Sequence, residues 1–124
     1  MKVRIALSGL NVTEVERVLK EIAGDKVETI VASDMQGAAA VKSGQADYFI
    51  GVCNTGGGGA LGVAIAVLGY SKCGIVSVPG LAPKAEKIRK FVEEGKVAFG
   101  ITNEHIKLAI PPIIEAILAK REKG

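Results

Sequence analysis

Tryptophan is absent from the 124 residues, and the aromatic side chains are three phenylalanines and two tyrosines. Proteins that hold nucleic acid concentrate basic residues among stacking aromatics, so this scarcity argues against that partner. The charge pattern agrees. The net charge is only +3, and Lys and Arg are interleaved with Glu along helix-like stretches, as on solvated faces. The chain has one histidine and two cysteines. Those cysteines lie far apart in sequence, and no zinc site is recognisable among so few ligands. No metal or other cofactor is expected. No apolar run approaches the ~20 residues that a membrane helix needs. The first run, Val3 to Leu7, is too short for the apolar region of a signal peptide and reads as a strand. A cytoplasmic location with reduced cysteines is therefore expected, without nucleic-acid or membrane partners.

What remains is an aliphatic chain. Hydrophobic residues make up 48%, and with so few rings the core must be built from Ala, Val, Ile and Leu. The 16 glycines are about twice the usual share, and they collect at the ends of apolar runs, as loops would. The length fits a single α/β domain over residues 1–124, able to bury about two-thirds of the surface its unfolded chain exposes.

Strand-like and helix-like runs alternate along the chain. Lys2 to Ser8 reads as a first strand. Asn11 and Glu14 then have capping-box spacing before a helix whose Val12, Val15, Val18, Leu19 and Ile22 form one stripe. Val27 to Ala32 is a second strand. Ser33 or Asp34 caps the helix Met35 to Lys42. Asp47 to Cys53 is the third strand, followed by a glycine-rich loop and a helix to about Leu68. Cys73 to Val78 is a fourth strand, and Pro83 suits the first turn of the helix after it. Val97 to Ile101 is the fifth strand. The Pro111-Pro112 pair predicts a break between a short helical turn and a final helix. Five apolar strands alternating with helices predict a three-layer α/β/α sandwich on a five-stranded parallel sheet, Rossmann-like, with flavodoxin-like order 2-1-3-4-5.

Ligands of such sheets bind at the carboxyl ends of the strands, near the point where strand order reverses. In the expected order Ser8 and Gly9 lie beside the loop Cys53-Asn54-Thr55-Gly56-Gly57-Gly58-Gly59. A glycine-rich turn between strand and helix can aim backbone N–H groups at a phosphate or carboxylate. It can equally serve close packing of helix on strand. Cys53, beside a helix N-terminus, is either a base or nucleophile or a small buried hydrophobe. Cys73 begins the next strand, over ~15 Å away, too far for a disulfide. Asp34 either meets a ligand hydroxyl, pairs with a lysine or caps its helix. His105 either transfers protons at the ligand edge or is a solvated residue at a helix start. The helix Ala60 to Leu68 is apolar on every face. Burying it requires a second subunit, making a homo-oligomer, or cover from the C-terminal helix.

Two family resemblances follow from these residues. Val41 to Gly56, with Ile65 to Tyr70 and Gly95 to Gly100, resembles the YhfU-like family of small uncharacterised bacterial proteins over nearly the whole chain. That resemblance implies a cytoplasmic metabolic accessory protein. Locally, Asp47 to Gly56 followed by a small-residue helix is similar to the Cys-Gly-Thr-Gly loop of B-type ribose phosphate isomerases. This likeness implies Cys53 as the base, Thr55, Gly56 and Gly58 along the substrate, and a dimer with shared sites. The Asp-His-Ala-Gly motif of those isomerases is replaced by Ser8-Gly9-Leu10-Asn11, so their ring-opening histidine has no counterpart. The Cys-x-Thr-Gly pattern is also similar to IIB phosphocarrier domains of sugar phosphotransferase systems, whose cysteine is phosphorylated. There the loop follows the first strand, not the third. The leading expectation is a protein that binds a small anionic metabolite at the loop, with isomerase-like proton transfer by Cys53. The alternatives are a non-catalytic binding or assembly module and a phosphocarrier.

Overall fold

The structure, a computed structural model, describes residues 1–56 and 58–123. Its strands are β1 (Val3–Gly9), β2 (Val27–Val31), β3 (Tyr48–Cys53), β4 (Cys73–Ile75) and β5 (Ala98–Thr102). Its helices are α1 (Val12–Ala23), α2 (Asp34–Lys42), α3 (Gly59–Leu68), α4 (Ala85–Glu93) and α5 (Ile106–Lys123). All the strand pairings are parallel, and the sheet order is β2-β1-β3-β5-β4.

The last two strands are therefore exchanged relative to the expected order 2-1-3-4-5. Burial explains the exchange. Every residue of β5 is buried, while β4 is only three residues long and leaves Ile75 38% exposed. A short strand with one half-wet residue suits an edge. Gly100 in β5 also fits an interior place, because a Cβ there would lie 2.1 Å from the Gly56 carbonyl oxygen and 2.9 Å from Leu61.

Side-chain alternation along the strands divides the interior into two unequal cores. On one face, Ile5, Leu7, Ile50, Val52, Phe99 and Ile101 pack under α1, α4 and α5. The helices contribute Val15, Leu19, Ile88, Val92 and the isoleucines of α5. On the other face, Ala6, Phe49 and Ala98 meet α2 and α3 through Ala38, Ala60, Leu61 and Ala64. Small residues bring these layers close: a Cβ on Gly51 would lie 2.5 Å from the Ala60 Cβ. Gly51, in β3 just before the glycine-rich loop, thus serves close packing of α3 on the sheet. Helix α3 lies across the sheet from α5, so the C-terminal helix does not cover it.

Three local readings change. Asn11 takes the left-handed conformation at φ 52° and makes no side-chain cap; its amide donates instead to Asn103 Oδ1 at 2.6 Å. Helix α5 runs through Pro111 and Pro112 without a break. The carbonyls deprived of partners are those of Lys107 and Leu108, four residues earlier, and both of those residues are exposed to water. Helix α4 starts at Ala85, with Lys84 at its N-cap, so Pro83 stands before the helix. At the amino edge of the sheet, Asp47 accepts the Arg4 N–H at 2.8 Å and pairs with the Arg4 and Arg121 guanidinium groups. Burial pushes the Asp47 carboxyl up, but these arginine contacts outweigh it and hold the group below its ordinary value.

Candidate functional site

Alternation also decides which polar groups meet at the carboxyl edge. Ser8, Cys53 and Thr102 each fall on the α2–α3 face, since their neighbours Leu7, Val52 and Ile101 belong to the opposite core. They end β1, β3 and β5, which are adjacent in the sheet. Cys53 and Thr102 are direct register partners, and Gly9 is opposite Val52. The chain can leave β1 there because residue 9 is glycine, at φ 100°: a Cβ would lie 2.0 Å from the Val52 carbonyl oxygen.

The Cys53 sulfur is half-buried, and the loop folds back onto it. Gly56 N–H donates to Cys53 Sγ at 3.1 Å, and Thr55 Oγ1 stands 3.7 Å from the sulfur. Gly58 N–H donates to Thr55 Oγ1 at 3.0 Å. Two backbone donors expected to face an external anion are therefore turned onto side chains of the loop itself. Asn54, Thr55, Gly58 and Gly59 are exposed; Gly57 lies outside the described residues. The first hydrogen bond into α3 is Leu61 N–H to the Gly58 carbonyl at 3.1 Å, so the N–H groups of Gly59 and Ala60 form the positive end of the helix. Gly56 is buried at φ 80° against the Ser77 carbonyl.

Below the loop lies a closed polar chain. Thr102 N–H donates to Ser77 Oγ at 3.0 Å, the Ser77 and Thr102 hydroxyls are 3.1 Å apart, and Thr102 Oγ1 is 2.6 Å from His105 Nδ1. His105 is only 8% exposed, so it is not a solvated residue at a helix start. Its Nε2 lies 4.0 Å from Glu104 Oε2. Asp34 also departs from expectation. Among the described residues it pairs with no lysine, and it caps no helix; it accepts a hydrogen bond from Ser8 Oγ at 2.5 Å. The cap of α2 is Ser33, which exchanges hydrogen bonds with Gln36 in a capping box.

The structure thus forms two clusters on one edge, Ser8 with Asp34 and Cys53 to Gly58 over Ser77, Thr102 and His105. Cys73 is a buried free thiol whose sulfur faces the Gly69 carbonyl at 3.4 Å; burial pushes it above its ordinary value against the charge of Lys96. Among the described residues, no three His, Cys, Asp or Glu side chains are placed to hold a metal ion. Ser77 escaped the sequence reading because Cys73 to Val78 reads as one apolar strand. The signal was a lone hydroxyl between Val76 and Val78.

A family model described as "Protein of unknown function DUF2620" matches residues 3–117. The chain belongs to this family. The DUF2620 assignment agrees with its relatives. Uncharacterized protein YhfU of Escherichia coli strain K12 is 45% identical over 111 residues, covering 90% of this chain and 95% of that protein. The YhfU protein of Shigella flexneri matches with the same figures. Among solved structures, ribose-5-phosphate isomerase B (RpiB) from Giardia lamblia superposes with a TM-score of 0.68 at 20% identity, over 95% of this chain and 94% of that one. At that identity the DUF2620 chain shares the isomerase's fold. No helix among the described residues is long and apolar enough to cross a membrane.

Proposed function

We propose that this chain is a cytoplasmic protein that binds a small anionic metabolite, phosphorylated or carboxylate, at the carboxyl edge of its sheet. We further infer that Cys53 transfers a proton there, as a base would in an isomerase. The observation that carries this reading is the setting of the Cys53 sulfur. It is half-exposed at the end of an interior strand, and the Gly56 N–H points at it, so negative charge on the sulfur has a donor. The RpiB-like fold supports the reaction class. In that reaction the sulfur takes a proton from the hydroxyl-bearing carbon beside a carbonyl and returns it to the carbonyl carbon, while the hydroxyl proton passes through solvent to the carbonyl oxygen, so no oxidant or reductant is needed.

The test is proton exchange in heavy water, followed by NMR, with a panel of aldose and ketose phosphates. The native chain should place deuterium on the carbon next to the carbonyl. Cys53→Ser should lower that rate by about 10²–10⁴-fold, the usual contribution of a positioned base, while leaving binding largely intact. Equal exchange by the two proteins would remove Cys53 from the chemistry.

A second reading is a binding module without chemistry. It is favoured by the mutual engagement of Ser8 with Asp34 and of Thr102 with His105, which occupies the other polar groups of the edge. Saturable binding with no deuterium incorporation would select it. In both readings two chains pair through α3. That helix has no polar side chain from Ala60 to Leu68; Ala66 is exposed, and Val63, Ile65, Val67 and Leu68 are only partly buried.

A further inference from the structure

The ligand's negative charge needs a partner, and the glycine loop supplies fewer donors than its sequence promises. The Gly56 and Gly58 N–H groups are directed to Cys53 and Thr55. Two strands over, the carboxyl end of β4 borders a cavity of about 120 Å³. Ile75, Val78 and Leu81 form apolar walls, Ser77 forms the wall toward the loop, and the side chains of Lys84 and Lys87 border it. Glu86, between them in sequence, does not line it. The Lys87 ammonium lies over the Phe91 ring, 5.5 Å from its centroid, a weak cation–π contact that a phosphate must compete with.

Ser77 joins this cavity to the candidate site. Its carbonyl is the surface against which Gly56 packs, and its hydroxyl bonds Thr102, the register partner of Cys53. One ligand could thus lie across the ends of β3, β5 and β4. The geometry points to Lys84 and Lys87 as the subsite for the phosphate of a phosphate monoester whose reacting carbon sits at Cys53. This inference rests on the reading of Cys53 above.

Charge and size select the group. A phosphate monoester carries about −1.5 to −2 near neutral pH, which two lysines match. Lysine binds phosphate as a point charge and needs no fixed fork geometry. The cavity is well below the ~300 Å³ at which pockets take drug-sized ligands, so it suits the phosphate end of a molecule and not a whole nucleotide. Strands ~4.8 Å apart place the end of β4 about 10 Å from that of β3. An extended chain covers that distance in about nine bonds, part of which is the reach of the cysteine and lysine side chains. A short carbon chain bearing a terminal phosphate fits the remainder.

The test is an amide NMR titration of the full chain with inorganic phosphate, with chloride at matched ionic strength and acetate as controls. Phosphate should cause saturable shifts at Ser77 and Ala82 to Lys87. Lys84→Ala/Lys87→Ala should weaken that binding at least tenfold. Cys53→Ala should leave it within about twofold. Shifts confined to Gly56 to Ala60, or an affinity unchanged in the double variant, would place the anion on the glycine loop and overturn the lysine subsite while leaving the role of Cys53 open to its own exchange test. Saturation by acetate but not phosphate would overturn the phosphate assignment, and no saturable shift with either would overturn the subsite outright. Loss of proton exchange in Cys53→Ser with phosphate binding retained would support both statements together.

Discussion

Replacing Gly56 by alanine tests whether the loop is held by packing on Ser77. Two costs follow from its position. At φ 80° an L-residue is in the left-handed region, which costs about 1–2 kcal/mol. The added Cβ would also lie 1.9 Å from the Ser77 carbonyl oxygen, whereas ordinary contact begins at 3.4 Å. Loop and strand end must then part by about an ångström and a half, and overpacking of that kind costs about 1–3 kcal/mol. The combined loss is roughly 2–5 kcal/mol. A chain of this length loses about 4 °C of Tm per kcal/mol, so Gly56→Ala should melt roughly 8–20 °C lower. Gly80→Ala is the control. Its φ is 75°, but nothing lies within 4 Å of the new Cβ, so only the backbone cost applies and the fall should be about 4–8 °C. Differential scanning calorimetry of the two variants decides the matter. Equal shifts, or a larger one for Gly80→Ala, would refute the packing of Gly56 on Ser77.

Two further outcomes are expected. In the native chain, a thiol reagent followed by mass spectrometry should label half-exposed Cys53 promptly and buried Cys73 only after urea is added, since burial also keeps the Cys73 thiol protonated to higher pH; prompt double labelling would contradict this burial. Ala66→Glu, on the outer face of α3, should shift sedimentation velocity from a dimer to a monomer with unchanged far-UV circular dichroism; a native chain that sediments as a monomer would end the pairing proposal.

The alternation of strands and helices was legible because buried parallel strands are continuous aliphatic runs, and every expected strand appears. The order of the last two was not. Cys73 to Val78 looks one residue longer than Val97 to Ile101, and their composition does not rank either as the edge. The deciding facts are three-dimensional: Gly100 must pass beneath Gly56 and Leu61, and Ile75 must face water at an edge. Pro111 and Pro112 misled for a similar reason. Proline's cost depends on whether the orphaned carbonyls can reach solvent, which a linear reading does not reveal. At the site, Cys53 and the loop stood out by chemistry alone. The partner of Asp34 did not, because Ser8 is 26 residues away and the local pattern offered a cap in its place; His105 sits at a helix start, and its burial against Thr102 is not legible from the sequence. Lys84 and Lys87 had the look of any solvated helix face until Ser77 set them beside a cavity.

The unequal cores have a dynamic consequence. The face under α1, α4 and α5 is filled with branched aliphatics, while the face under α2 and α3 relies on alanines and glycine clefts. Local opening follows the buried apolar area that must be exposed, so the thin layer should open in smaller, less costly steps than the thick one. The Cys53 loop leads directly into that thin layer through α3. A chain built this way keeps its sheet rigid and lets the α3 side of the carboxyl edge open without disturbing the face that maintains the fold.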